Sequence, residues 1–528
     1  MKQYWSILLI QSFLVLTTSF LSGQSTELIV RWTGEGMAKK VDLPEASKRE
    51  WLVKKLSVEL LRFPDEVALE RGLSILERQP GVLAWERNRP VDFRTDPDDP
   101  LYASEQNNLF RAGFAGAWDL TTGGQTTDGQ HIVVAVLDAG FDVEHSDLRD
   151  NLWRNPGEIA NDGVDNDGNG FVDDLRGWNF TDDAATFPVS THGTQVIGQL
   201  GARGNNGRGV SGTNWDLSMM LFSIQSVGDI IAAYGYVLDQ RRRYNETDGR
   251  EGAFVVATNA SFGVEGDSCS DYPVWGSLYD ELGREGILTA ASTANRPWDV
   301  DVVGDMPTDC PSEYLIGVTN LSVNDRLFDS SAFGEENVDL AAPGEESYST
   351  LPNNRYGPFG STSAAAPYVT GAIALLYATP CPMLLDMARE DPATAALLVR
   401  EAILSSTAPN LSLTTRTATG GVLDVAAAQA RLIDFCNEDR AGTFAIDALV
   451  PNPADTEVEI RTNALLLTPT ATVTVYDALG RQVHHERPER LAGVPVRLRL
   501  PVAQLAAGWY LVSVRDREQV SHHPLIVR

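Results

Sequence analysis

The chain has 528 residues, with 42 Lys and Arg against 72 Asp and Glu, a net charge of −30. That balance offers no positive face for a phosphate backbone, so nucleic acid is excluded as a partner. Beyond the N-terminus no apolar run approaches the roughly 18 residues of a membrane span, so no transmembrane segment is expected in the mature form.

Met1–Gly23 carries Lys2, an apolar stretch from Ile7 to Leu16 and small residues at Ser22 and Gly23. This pattern predicts a signal peptide, cleaved near Gly23–Ser25. Residues 24–95 read as a small α+β domain: a strand over Thr26–Trp32, helices over Lys48–Leu61 and Glu66–Gln79, and a short strand over Gly81–Glu86. Arg87–Pro100 is rich in Pro, Asp and Arg, which marks an exposed linker open to proteolysis. All six lysines precede residue 56, so removal of the leader and this first domain leaves a lysine-free chain.

Residues 101–435 form a large core. Apolar strands are predicted at His131–Leu137, Leu217–Phe222, Ala253–Ala260, Gly286–Ala291, Tyr314–Val318 and Val338–Ala342, with helices at Ile230–Arg242, Trp275–Glu285 and Ala364–Tyr377. Buried strands alternating with helices indicate a mostly parallel sheet covered on both faces. The four cysteines allow three pairings. Cys269 with Cys310 and Cys381 with Cys436 each close a common segment and are the favoured pairs. Residues 436–445 read as a junction. From Pro469 onward short strands and turns follow: Thr472–Tyr476, the turn Asp477–Gly480, Arg481–His485, Val496–Leu500 and Trp509–Val514. They predict a small β-sandwich.

Three segments of the core carry chemistry. Asp138 ends the apolar run Val133–Leu137, where ligands gather in open α/β sheets. His192 follows Ser190-Thr191, either of which can cap a helix and set the imidazole in its first turn. Ser363 lies where a turn enters the apolar helix Ala364–Tyr377. Serine is a weak nucleophile unless a base takes its proton, and the base needs a partner that fixes its tautomer. Attack on a carbonyl builds an oxyanion, for which the Ser363 N–H and the side-chain amide of Asn295, just past Ile287–Ala291, are the candidate donors.

These residues stand in blocks that resemble those of subtilisin-like serine peptidases, the subtilase family. Asp138-Ala139-Gly140 resembles the family's aspartate motif, His192-Gly193-Thr194 its histidine motif, and Ser361-Thr362-Ser363-Ala364-Ala365-Ala366-Pro367 its serine block, in the family's order. That order differs from α/β-hydrolases, and the nucleophile elbow of lipases is absent around Ser363. Ser361 stands for a usual glycine, Ala364 for methionine, and Ser292-Thr293-Ala294 precedes Asn295 where glycine is usual. Ser261-Phe262-Gly263 resembles the edge segment along which substrate adds as a strand. The resemblance implies a three-layer subtilisin-like α/β fold with a small α+β prodomain before it and a small β-sandwich after it. It implies an endopeptidase acting on proteins or peptides through Asp138, His192, Ser363 and Asn295. An inactive surface adhesin or binding module on the same scaffold is the competing reading. Residues 24–95 resemble the inhibitor-like propeptide, which implies an intramolecular inhibitor removed by self-cleavage in the 88–100 linker. A monomer is expected.

Residues 161–174 are dense in hard oxygen donors, with Asp165, Asp167 and Asn169 at alternating positions, then the Phe171 carbonyl and Asp173. The spacing follows the first part of a calcium loop and predicts structural Ca2+. At the C-terminus Val450-Pro-Asn-Pro453, Val475-Tyr-Asp-Ala-Leu-Gly-Arg481 and Ala507-Gly-Trp-Tyr510 resemble the sorting domain of the type IX secretion system. This implies the outer-membrane secretion machinery as partner and a secreted or outer-surface location. The expected organisation is a signal peptide (1–23), propeptide (24–95), catalytic domain (96–435), linker (436–448) and sorting domain (449–528).

Overall fold

The computed structural model describes residues 26–44, 46–88, 95–441, 444–462, 471–491, 497–516 and 519–528. The expected signal peptide and linker residues 89–94 lie outside them. The chain divides into two compact units, Met1–Phe93 and Arg94–Arg528.

In the first unit β1 (Glu27–Trp32), β2 (Lys48–Val53), β3 (Val58–Arg62) and β4 (Val82–Arg87) form an antiparallel sheet in the order β2-β3-β1-β4. The helix Glu66–Leu76 is capped by Asp65, whose side chain accepts the Ala68 N–H. Leu69, Leu73 and Leu76 bury against Leu28, Val30 and Leu61. The helix expected over Lys48–Leu61 is instead a hairpin. Ser57 takes a left-handed φ of 55° after the short turn Lys54–Leu56 and sends β3 back along β2. The buried Glu59 then accepts from the Arg49 guanidinium at 2.7 Å and from the Trp32 indole at 3.1 Å, cross-strand bonds that a helix here would not form. Apolar spacing alone fitted both forms.

The second unit is built on a nine-stranded sheet. Its strands come from β5 (Val133–Asp138), β6 (Gly177–Asn179), β7 (Ser218–Ser223) and β8 (Val255–Ala260), followed, beyond the short β9 (Val264–Glu265), by β10 (Leu288–Ser292). After another short strand, β11 (Asp305–Met306), come β12 (Leu315–Asn320) and β13 (Leu340–Ala342). The hairpin β14 (Ser347–Leu351) and β15 (Arg355–Phe359) stands apart, and β16 (Ala408–Pro409) and β17 (Gly421–Val422) close the edge. The order is β16-β17-β13-β12-β10-β8-β5-β7-β6, and every pair but β16/β17 is parallel.

Parallel strands need cover on both faces, and the pleat divides β5 accordingly. Val134 and Val136 face the helices Thr191–Gly201 and Thr362–Tyr377, whereas Val133, Ala135 and Leu137 face Val227–Glu246 and Pro273–Arg284. All residues of Thr362–Tyr377 are buried, so its apolar run is a core helix. Burying one such Leu, Ile or Val contributes roughly 1.5–3 kcal/mol. The chain leaves β5 toward β7 and returns through Val227–Glu246 to β8 on the other side, so the order reverses at β5. Asp138 stands at that switch point, where crevices open in such sheets.

Disulfides join Cys269 to Cys310 and Cys381 to Cys436. The linker expected from residue 436 begins later, because the helix Val425–Ala441 runs through it. Val425, Ala428, Leu432 and Phe435 bury in the core at helical spacing, and Asp424 accepts the Ala427 N–H. The first strand of the sandwich, β18 (Ile446–Val450), likewise starts inside the expected linker.

The sandwich adds β19 (Glu457–Thr462), β20 (Thr472–Asp477), β21 (Gln482–Glu486), β22 (Glu489–Leu491), β23 (Arg497–Pro501), β24 (Gly508–Asp516) and β25 (Gln519–Val527). Two four-stranded sheets, β18-β19-β23-β22 and β21-β20-β24-β25, close over Val473, Val475, Val512 and Val514. In the β20–β21 turn Asp477 accepts the N–H groups of Leu479 and Arg481 and pairs with the Arg481 guanidinium, while Gly480 supplies φ 76°. The Asp-x-x-Gly-Arg run is thus a self-capping turn.

Candidate active site

His192 opens the helix Thr191–Gly201 at the C-terminal end of the sheet. Ser190 occupies the N-cap position, yet neither expected cap bond forms; its carbonyl takes the Thr194 hydroxyl and N–H instead. Gly193 lets this helix approach β5, since a Cβ there would collide with the Gly140 carbonyl oxygen and crowd Asp138. The His192 Nδ1 lies 2.8 Å from Asp138 Oδ2, and the Ala139 N–H donates to Asp138 Oδ1 at 2.7 Å. With both oxygens held, the buried carboxylate fixes the tautomer that carries the proton on Nδ1 and leaves Nε2 as the acceptor. Burial pulls the His192 pKa down, but the hydrogen bond and charge of Asp138 outweigh it, so the pKa lies above its ordinary value. The ring edge meets Phe359 of β15.

Ser363 sits in the first turn of Thr362–Tyr377, where backbone N–H groups lack helical partners. Pro367 has no N–H to return to the Ser363 carbonyl four residues earlier. The Ser261 hydroxyl fills that gap, donating to the Ser363 carbonyl at 3.0 Å, and itself accepts from Asn259. Ser361 adopts φ 70° with ψ −178°, an extended region at positive φ that is nearly reserved for glycine and costs another residue about 1–3 kcal/mol. Its N–H is held by Glu345, which also takes the Asn320 amide.

Asn295 joins the same region. Its Oδ1 accepts the Thr362 N–H at 3.2 Å and the Thr362 hydroxyl at 2.9 Å, which turns the side-chain Nδ2 donor away from Thr362. The structure therefore brings Asp138 against His192, and Asn295 against the residue preceding Ser363. Beside them a cavity of about 370 Å³ is lined by Asp138, His192, Ser261 and the apolar Ile224, Phe262 and Trp275, among others. Phe262 stacks on Trp275, so it both lines the cavity and belongs to the core.

These groups can activate a hydroxyl and stabilise an oxyanion. Residues 129–426 match the Subtilase family. The chain belongs to the subtilase family. It is 30% identical over 271 residues to "Subtilisin-like protease 1" of Plasmodium falciparum (isolate 3D7), covering 46% of this chain and 37% of that protein. It is 28% identical over 253 residues to "Major intracellular serine protease" of Bacillus subtilis (strain 168), covering 47% and 69%. A solved protease of Pseudoalteromonas arctica PAMC 21717 aligns with 24% identity and a TM-score of 0.46, over 64% of this chain and 100% of that one. The subtilase thus spans little more than a third of the length of its Plasmodium relative. Residues 448–528 match the secretion system C-terminal sorting domain, which marks the chain for export to the outer cell surface. Among the described residues no single helix is long and apolar enough to cross a membrane.

In the acidic loop of the subtilase the expected ligands are joined by internal hydrogen bonds, the Asn169 N–H donating to Asp165 and Asp167. Carboxylate oxygens of Glu158, Asp165 and Asp167 lie within 4.8 Å of one another. Asp173, at φ 57°, accepts the N–H groups of Asp162 and Gly163. Asn169 Oδ1 accepts the Phe171 N–H, and its amide donates to Asp167 and to the buried Asp174. Glu158 escaped the sequence reading because it precedes the alternating run; its Oε1 takes the Asn166 and Asp167 N–H groups. Asp99 and Asp147 form a separate pair of buried carboxylates. Both bind the turn Asn205–Val210, and burial pushes Asp147 up to about 6.

Proposed function

We propose that the chain is an exported serine endopeptidase made as a zymogen. The observation that carries this reading is the Asp138–His192 hydrogen bond at the sheet end that also holds Ser363 and Asn295. His192 Nε2 takes the Ser363 proton as Oγ bonds to the scissile carbonyl carbon. The oxyanion is received by Asn295 Nδ2 and the Ser363 N–H. The tetrahedral adduct collapses, the C–N bond breaks, and His192 returns the proton to the leaving amine. Water, activated by the same imidazole, then cleaves the acyl ester. The substrate chain adds along Ser261–Gly263, and an apolar side chain enters the cavity between Ile224, Phe262 and Trp275.

Residues 24–95 act as the intramolecular inhibitor, released by cleavage within 88–100, and the sorting domain engages the outer-membrane secretion machinery. Glu158, Asp165 and Asp167 hold Ca2+ as hard oxygen ligands that brace their loop. The test incubates the purified zymogen with casein at neutral pH, beside Ser363→Ala, with calcium or a chelator. Casein fragments and loss of the first domain only in the unmutated protein are expected, with a lower Tm in chelator. Equal behaviour of both proteins would sink the peptidase reading, and an unchanged Tm would sink the calcium site.

A further inference from the structure

Asn295 follows Ser292-Thr293-Ala294, so no glycine eases the chain from β10 into the loop that carries it. The loop is fixed by hydrogen bonds instead. The Thr293 N–H donates to the Val318 carbonyl, and the Ala294 carbonyl accepts the Ala332 N–H. The Ala294 N–H, on the residue next to Asn295, donates to Asp305 Oδ2 at 2.8 Å. Asp305 is 2% exposed and belongs to β11, which pairs with β9 just past the Ser261–Gly263 segment. The Thr308 hydroxyl sets its rotamer by donating to Asp305 Oδ2 at 2.7 Å and to its carbonyl at 3.0 Å.

We infer that Asp305 is a positioning residue for the oxyanion donor: through the Ala294 N–H it holds the peptide from which Asn295 projects, while Thr362 holds the Asn295 side chain. A carboxylate is a costly choice for merely filling this space. Burial pushes its carboxyl up to about 6, and the acidic neighbours Asp309 and Glu265 add to the rise. Buried charge of this kind is tolerated when fixed donors meet it. Here one of those donors is the backbone of the loop that must not move. A displacement of about 1 Å in such a donor costs on the order of 100-fold in rate.

The inference rests on the peptidase reading, so the experiment separates the two. The processed enzyme and its variants are assayed on a peptide p-nitroanilide with apolar side chains, and Ser363 is labelled with a fluorophosphonate. Absence of both turnover and labelling in the unmutated enzyme overturns the peptidase reading and the inference with it. Given an active enzyme, Asp305→Ala is expected to lower kcat by about 10- to 100-fold with KM within about 3-fold, the signature of an interaction made in the transition state. In an Asn295→Ala background the same change should cost less than about 3-fold, since the group it positions is gone. Asp305→Asn, which keeps an acceptor for the Ala294 N–H, should retain kcat within about 5-fold. Full multiplication of the Asn295→Ala and Asp305→Ala losses, or an effect on KM alone, overturns the inference. Should Asp305→Ala not fold, Thr308→Val frees the carboxylate rotamer; kcat unchanged in that variant overturns the inference, and a fall of about 3- to 10-fold supports it.

Discussion

Asp138 and His192 meet through one side-chain hydrogen bond at 2.8 Å, drawn from a strand end and a helix start. Across the cleft Asn295 is held by contributions from three further segments: Thr362 on its side chain, Asp305 on the preceding N–H and Ala332 on the preceding carbonyl. In the proposed reaction the proton relay is thus a matter of which side chains stand on rigid elements. The oxyanion side of that reaction is a matter of backbone path, set by the hydrogen bonds of Thr362, Asp305 and Ala332. The difference follows from chemistry. A proton moves between two side-chain atoms, whereas a developing oxyanion is received by donors whose direction the backbone sets.

The largest effect should come from the relay. Asp138→Asn is expected to lower kcat by about 10⁴-fold, because the imidazole loses its tautomer-fixing partner. The same variant should move the acid limb of kcat/KM. With Asp138 present the His192 pKa is raised above its ordinary 6.5, so activity develops only as pH passes that raised value. Without the carboxylate, burial alone acts and the limb falls to lower pH. The pair's contribution to stability is fully present below the unfolded pKa and is lost as pH rises through the raised folded one. A limb that stays in place would show that Asp138 does not govern His192.

On the opposite side Asn295→Ala should cost about 10²–10³ in kcat, less than the relay, with KM little changed. A loss equal to that of Asp138→Asn would erase the distinction between the two sides. The smallest effect on rate should come from Cys269→Ser with Cys310→Ser. This disulfide ties the segments that lead from β9 and from β11 and packs against the helix Pro273–Arg284. Stability should fall by about 2–4 kcal/mol, read as a lower Tm, with kcat retained at 25 °C. An unchanged Tm would mean that the hydrogen bonds alone hold those segments.

The same contrast explains what was legible in the sequence. Asp138, His192 and Ser363 stood out because each is a reactive side chain at the end of a strongly patterned element. The parallel sheet and the sandwich followed from apolar period and turn residues. Asp305, Thr308 and Glu345 left no such mark, since their role depends on where a chain reversal places them. Lys48–Leu61 was misread because its apolar spacing suits a helix as well as a hairpin, and the deciding bonds of Glu59 are cross-strand. The helix end at Ala441 was missed although Val425, Ala428, Leu432 and Phe435 keep its period; the polar residues after Cys436 hid it.

Cys436 lies near the end of the helix Val425–Ala441, and its disulfide reaches back to Cys381, ahead of Pro382–Glu390. The covalent closure of the larger body is therefore complete before β18 begins. Scission anywhere between the helix and the sandwich would discard the address label while the remainder stays stitched at its final turn. The sorting label and the last disulfide are thus written into separate stretches of this chain.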